Sequence, residues 1–331
     1  MSNKKRLFTG LQPSGTLHIG NYFGALKPFK DISGEYESFL MIADLHALTT
    51  TRDQQVLREN IKDVVRDYLA VGVNPDDVVI FKQSDVLEHT ELAWMFECLV
   101  TVPFLMQAHA YKDKVAKGLE ANAGLFNYPM LMAADILLYD ADVVPVGEDQ
   151  RQHVEYAREA ATKFNSAYGE TFATPQEMVL NSVCIVPGID AQKMSKSYKN
   201  TIPLFGTTDE IAKAVMSIVT DSSSYSQTPT PDKNGFTVTL PNPENVYKIH
   251  ELFCDDKNEL INFYFNNQNN YKGIKERLIA DIETVVAPMR EKRNTITDAD
   301  IMHVLAQGAE KARALAQAKM VEVRKKVGIS F

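Results

Sequence analysis

The sequence predicts an α/β protein: a parallel sheet flanked by helices over residues 1–205, then a mainly helical region over 206–331. Three observations predict it. Short apolar runs alternate with helical patterns through the first 200 residues, and such alternation implies parallel strands joined by right-handed crossovers. Residues 101–127 interrupt the alternation and read as an insertion. From about residue 207 the pattern turns helical.

Four apolar runs fit buried strands: 5–9 (KRLFT), 38–43 (SFLMIA), 78–82 (VVIFK) and 142–146 (DVVPV). Between the second and third, Leu57, Ile61, Val64, Val65, Tyr68 and Leu69 make one apolar helical stripe. Gly72, Asn74 and Pro75 stop that helix. A second helix is predicted from Leu87 to Val100. A third is predicted to begin at Pro129, a favoured first helical position, and to run through LMAADILLY. The insertion carries Lys112, Lys114 and Lys117. Residues 182–203 read as a strand-like piece followed by a polar loop. Residues 221–243, rich in Ser, Thr, Pro, Asp and Asn, read as an exposed loop. A final helix is expected from Asp298 to Val327, broken near Gly308 and stopped by Gly328. The sheet region is Rossmann-like, and ligands of such sheets sit at the carboxyl ends of the strands.

Composition is that of a soluble globular protein, with 45% hydrophobic and 24% charged residues in 331. No apolar run reaches the length of a membrane span. The start, MSNKKRLFTG, has no apolar signal core, which places the protein in the cytoplasm. Cys98, Cys184 and Cys254 form no CxxC pair and no cluster at zinc spacing, so neither zinc nor an iron–sulfur cluster is expected. A net charge of −8 argues against a general nucleic-acid binder and against a DNA partner. Residues 311–326 nevertheless carry Lys311, Arg313, Lys319, Arg324, Lys325 and Lys326 against one acid, Glu322. That stretch is either a phosphate contact or a solvated helix end.

The two commonest phosphate loops, GxxxxGK[ST] and GxGxxG, are absent. Instead the first strand runs into Gln12-Pro13-Ser14-Gly15 and then Leu17-His18-Ile19-Gly20-Asn21. A helix begins near Gly20, and its free N–H groups can face an anion. Gly20 has no side chain, so a nucleotide can approach the backbone. His18 supplies a donor for a phosphate oxygen. Alone, this motif reads more readily as a buried histidine at a helix start. The second signal is Lys193-Met194-Ser195-Lys196-Ser197. Two lysines three apart can close over a polyphosphate and neutralise charge as pyrophosphate departs.

Together these motifs resemble the signature pair of class I aminoacyl-tRNA synthetases. The resemblance implies attack of an amino-acid carboxylate on the α-phosphate of ATP, with magnesium accompanying the ATP, then transfer to tRNA. Three further stretches resemble the tryptophan-specific, bacterial-type members: Tyr128-Pro129 leading into LMAADILLY, VPVGEDQRQH at 144–153, and Asp44-Leu45-His46-Ala47. The likeness spans most of residues 6–200. Met132 and Asp135 share a helix face. An acid on an apolar face is costly unless paired. It is held in an internal ion pair, is an acid on the helix surface, or is the partner of an indole N–H, which is a donor only. Phe8, Met132, Val144 and Val146 can line the ring. A site built to bond that N–H can reject analogues lacking it by on the order of 10⁴-fold.

The resemblance also implies roles for single residues. Tyr128 and Gln150 hold the ammonium group, Gln12 the carboxylate end, and His46 sits near the ring. Gln12, Pro13, Ser14, Gly20 and Asn21 line the ATP site. Gly147, Glu148 and Asp149 meet the ribose, and Cys184 lies near the adenine. Lys193, Met194, Ser195, Lys196 and Ser197 close over the phosphates. His18, Lys193, Lys196 and, from the insertion, Lys112 are the catalytic groups. The implied partners are L-tryptophan, ATP and tRNA(Trp), and the implied assembly is a homodimer with the insertion at its interface. Residues 206–331 are expected to be a helical anticodon-binding domain. Two features depart from the usual pattern: Tyr198 follows KMSKS where an acid is common, and PGIDAQ precedes it. The rival readings are a tyrosine-specific relative, an adenylyltransferase with an HxGH motif, and a non-catalytic RNA-binding paralogue.

Overall fold

The structure is a computed structural model describing residues 4–118, 120–147, 151–179, 186–220, 230–231, 237–238, 241 and 243–330. The chain divides into two compact units. One comprises Met1–Gly15, Phe29–Asn181 and Ile296–Phe331; the other comprises Thr16–Pro28 and Ser182–Thr295.

The first unit is built on a five-stranded parallel sheet of order β3-β2-β1-β4-β5. Its strands are β1 (Arg6–Leu11), β2 (Glu37–Ile42), β3 (Val78–Lys82), β4 (Val143–Val146) and β5 (Gln176–Val179). The first four coincide with the apolar runs. Phe8 pairs with Phe39 across β1 and β2. The Tyr139 ring lies 5.4 Å from Phe8, 5.2 Å from Phe39 and 5.5 Å from Phe81. β5 was not expected. Among the described residues it pairs with β4 alone, and its Gln176 is exposed, so it needs no continuous apolar run. The strand-like piece expected from residue 182 begins outside the described residues, and 186–203 holds no strand.

The helices follow their caps. Asp53 accepts from the N–H groups of Gln55 and Val56 and starts the Gln54–Ala70 helix, which buries Val64, Val65, Tyr68 and Leu69. Helix Glu88–Glu97 matches the second expectation. The insertion is itself helical, at Val102–Leu105 and His109–Ala116. The third helix runs from Ala123 to Leu137, so Pro129 is inside it rather than at its start. Asn122 caps it by accepting from Leu125 N at 2.8 Å. Pro129 then forfeits only its own helical bond to the Leu125 carbonyl.

The last helix, Asp298–Val327, passes through Gly308 unbroken. A Cβ there would lie 1.8 Å from the Ile80 carbonyl oxygen, so the glycine serves close packing on β3. This helix therefore belongs to the sheet unit, unlike the expected division at 205/206. Several of its basic residues are held within that unit. Arg324 pairs with Glu91 at 2.7 Å, Lys319 with Asp140 at 2.7 Å, and Arg313 donates to the Asp85 carbonyl at 2.9 Å.

The second unit carries helices Thr208–Met216, Glu244–His250, Lys257–Asn266 and Tyr271–Thr295. Thr207 and Glu210 cap the first reciprocally. Buried Lys275 closes its other end, donating to the carbonyls of Met216 and Ile218. Buried His250 joins Tyr264 to Asp281 at 3.1 and 2.7 Å. The expected loop at 221–243 falls largely outside the described residues; within it Thr230–Pro231 pairs antiparallel with Thr237–Val238. No described helix is long and apolar enough to cross a membrane.

Candidate functional site

In the sheet unit a cavity of about 450 Å³ opens where β1 and β4 end. Nine of the expected site residues line it: Phe8, Gln12, Ser14, His46, Tyr128, Met132, Asp135, Val144 and Val146. Phe8 comes from β1 and the two valines from β4, while Tyr128, Met132 and Asp135 project from the Ala123–Leu137 helix. That volume is at the scale of a small-molecule site, and the lining is mostly apolar with a few polar groups.

Asp135 is the main charged group of this cavity and has no surface open to solvent. His46 Nε2 lies 2.9 Å from its Oδ2. Gln83 Nε2 donates to both oxygens, at 2.8 and 3.0 Å. His89 Nδ1 lies 2.6 Å from Oδ1, a contact too poorly aligned to be a hydrogen bond. Burial alone would raise the carboxyl pKa, but His89 and then His46 outweigh it and hold it at about 2. Two readings of Asp135 thus coincide in part: it faces an apolar cavity and is internally paired.

Gln83 and His89 are functional candidates that the sequence reading missed. The carboxyl end of β3 was the available signal for Gln83, because such ends carry ligand sites. Gln83 Oε1 accepts the N–H groups of Leu45 and His46 at 3.2 and 3.3 Å, fixing the His46 segment. Tyr128 Oη lies 3.1 Å from His153 Nε2. Burial, then Tyr156, pushes the Tyr128 phenol up to about 12, so it stays protonated.

Of the other expected residues, Pro13 follows β1 and Gly147 follows β4 without lining the cavity. Lys112 is exposed on the His109–Ala116 helix and donates to Gln107 Oε1, also away from the cavity. Glu148, Asp149, Gln150 and Cys184 lie outside the described residues. A larger cavity, about 1030 Å³, opens in the same unit along the Gln54–Ala70 and Asp298–Val327 helices and holds none of the expected residues.

The second unit carries the His18 motif and the KMSKS motif. His18 caps the short helix Ile19–Asn21, and each residue's side chain bonds the other's backbone. Ile19 N donates to the Ile202 carbonyl and Leu204 N to the Leu17 carbonyl, both at 3.0 Å. Those two bonds tie the His18 strip to the segment just beyond KMSKS. The pKa of His18 falls to about 4, through burial first and then the Lys196 ammonium, so the ring is neutral at neutral pH. Asn21 N donates to Nδ1, which leaves the ring proton on Nε2. Nε2–H is therefore a neutral donor. A Cβ on Gly20 would sit 2.9 Å from His18 Nδ1, so Gly20 leaves room for the ring.

The KMSKS loop is ordered by Asn200, a buried residue that the sequence reading also passed over. Asn200 Oδ1 accepts Ser195 N at 2.7 Å, and its Nδ2 donates to Asp190 Oδ1 and to the Lys193 carbonyl. Met194 is buried, its N–H bonded to the Val186 carbonyl. Ser195 Oγ caps the turn Lys196–Tyr198 by accepting Ser197 N. Lys193, Lys196 and Tyr198 are exposed. Among the described residues, no group of three or more His, Cys, Asp or Glu side chains could hold a metal ion.

Residues 2–287 match the family profile described as tRNA synthetases class I (W and Y). The chain is 46% identical over 330 residues to a tryptophan–tRNA ligase of Fusobacterium nucleatum, covering 98% of each chain. It is 42% identical over 328 residues to the tryptophan–tRNA ligase of Rhodopirellula baltica, covering 98% and 99%. Among solved structures, it is similar to the tryptophanyl-tRNA synthetase of Campylobacter jejuni complexed with ADP and tryptophan. That likeness has a TM-score of 0.87 and 42% identity over 98% of this chain and 99% of that one.

Proposed function

Because this chain belongs to the class I tRNA synthetases of the tryptophan and tyrosine type, we propose that it is an ATP-dependent tryptophan–tRNA ligase. It activates L-tryptophan to tryptophanyl-adenylate and transfers the tryptophanyl group to tRNA(Trp). The observation that carries the choice of amino acid is Asp135, an ionised acceptor buried beside an apolar cavity. The indole N–H is a donor without acceptor function and suits such a partner. Phe8, Met132, Val144 and Val146 supply apolar walls. Asp135 has no open surface, so the indole reaches it only when a neighbour gives way; His46 is the neighbour on the cavity wall.

In the first step a tryptophan carboxylate oxygen bonds to the α-phosphorus of ATP. The bond from that phosphorus to the β–α bridging oxygen breaks, and pyrophosphate leaves with its electron pair. Magnesium bound to ATP would offset the charge of its phosphates. His18 donates Nε2–H to a phosphate oxygen, and Lys193 and Lys196 neutralise the departing charge. Gln12 and Ser14 receive the substrate where β1 ends, and Tyr128 with Gln150 holds the ammonium. In the second step a hydroxyl of the terminal tRNA ribose attacks the mixed anhydride and AMP leaves. The protein works in the cytoplasm as a homodimer. Exposed Leu87, Trp94, Val102 and Met106, on the insertion and the helix before it, support that assembly.

The test is calorimetric titration with each of the twenty amino acids in turn. Binding of tryptophan, weakened selectively by Asp135→Asn, is the expected result. Binding of tyrosine in place of tryptophan would overturn the reading of Asp135.

A further inference from the structure

We propose that Gln83 and His89 are positioning residues for tryptophan specificity, acting through Asp135 rather than on the substrate. The proposal rests on the reading of Asp135 as the indole partner. Neither residue lines the cavity, and both are wholly buried. They approach the carboxylate from positions 52 and 46 residues away in sequence, Gln83 at 2.8 Å and His89 at 2.6 Å.

The geometry fixes what each group does. A lone pair 2.6 Å from a carboxylate oxygen would be repelled, so His89 Nδ1 carries a proton. Its other nitrogen lies 2.9 Å from Tyr139 Oη, and Tyr139 is wedged among Phe8, Phe39 and Phe81. The His89 ring is thus clamped from the sheet core. Gln83 is clamped from the other side, its oxygen occupied by Leu45 N and His46 N. Its amide nitrogen spans both carboxylate oxygens and sets the plane of the carboxylate. One immobile donor, Gln83, and one immobile N–H in close electrostatic contact, that of His89, therefore hold one charge in place. A donor on the substrate gains most from an acceptor fixed in this way, because no reorganisation is left to do. An isostere without the donor leaves the fixed charge unanswered, which is the basis of strong rejection.

The test compares kcat/KM for tryptophan with that for its benzothiophene analogue, in which sulfur replaces N–H, by pyrophosphate exchange. The enzymes are wild type, Asp135→Asn, Gln83→Met, His89→Leu and His89→Asn. Asparagine places an amide donor near the position of Nδ1. Discrimination is expected to fall about tenfold or more in Gln83→Met, the loss of about one hydrogen bond to a charge, and to fall in His89→Leu as well, which loses the close contact of an N–H with that charge. It is expected to return within about threefold of wild type in His89→Asn, with KM for ATP unchanged throughout. A merely structural role would lower thermal stability without moving the ratio. If Asp135→Asn abolishes discrimination while folded Gln83→Met and His89→Leu keep it, the positioning role is wrong and the indole reading stands. If Asp135→Asn also keeps it, the indole reading itself fails. Should His89→Leu not fold, Gln83→Met and His89→Asn decide by the same ratio.

Discussion

At the scale of single residues, His18 separates what a sequence discloses from what only the fold supplies. His18 stands in a recognisable strip, and its neighbours in sequence already suggest a phosphate donor. Its protonation state depends on burial and on Lys196, which lies far along the chain. The ordinary value of 6.5 drops to about 4 in the folded protein. Protonation therefore favours the unfolded chain as pH falls below 6.5, and the stabilising contribution of neutral His18 is lost on the way to pH 4. An NMR titration of the His18 ring is expected to give a midpoint near 4, moved upward by Lys196→Ala yet still below 6.5 because burial is the larger cause. A midpoint at or above 6.5 would contradict the neutral donor. Gly20→Ala presses on Nδ1 and is expected to slow activation about tenfold or more through a displaced ring, a factor that a 1 Å misplacement readily produces. Tryptophan affinity should change little. Gln83, His89 and Asn200 could not be ranked in sequence, because each owes its role to a partner the fold supplies.

At the scale of elements, apolar periodicity located four strands and the stripe of the Gln54–Ala70 helix, because burial alone decides those positions. It misjudged elements whose ends or middles are set by other forces. Pro129 suggested a helix start, but the Asn122 side chain opens the helix earlier. Asn122→Ala is expected to cost about 1 kcal/mol of stability in denaturant unfolding. Gly308 suggested a break, whereas its absent side chain admits the β3 backbone. Gly308→Ala forces a Cβ into that carbonyl and is expected to cost about 3 kcal/mol or more, read as a lower denaturation midpoint. An unchanged midpoint would show that the helix can shift from the strand without loss. The KMSKS loop depends on Asn200 in the same manner. Asn200→Ala is expected to reduce pyrophosphate exchange more than it reduces thermal stability, since its bonds go to Asp190, Lys193 and Ser195 within the loop.

At the scale of the whole molecule, the sequence foretold a sheet region followed by helices, and the chain has both. The boundary differs because residues 296–331 return to the sheet unit, a long-range association that no local pattern announces. Lys319 and Arg324 are ion-paired there, so much of the basic tail is spent on holding the helix rather than left for phosphates. Salt dependence of tRNA binding should therefore change little on Lys319→Ala in a folded enzyme. The exposed apolar residues at 87–106 predict association: light scattering at micromolar concentration is expected to give twice the 37.1 kDa chain mass, and Trp94→Lys to shift it toward one chain. A single-chain mass for the unaltered protein would refute the dimer.

The most direct test of the central claim is amino-acid-dependent exchange of pyrophosphate into ATP, run with all twenty amino acids and magnesium. The account requires exchange with tryptophan and none of comparable rate with tyrosine. Exchange with tyrosine instead would keep the reaction and discard the reading of Asp135. A well-folded enzyme that exchanges with no amino acid would contradict the ligase itself.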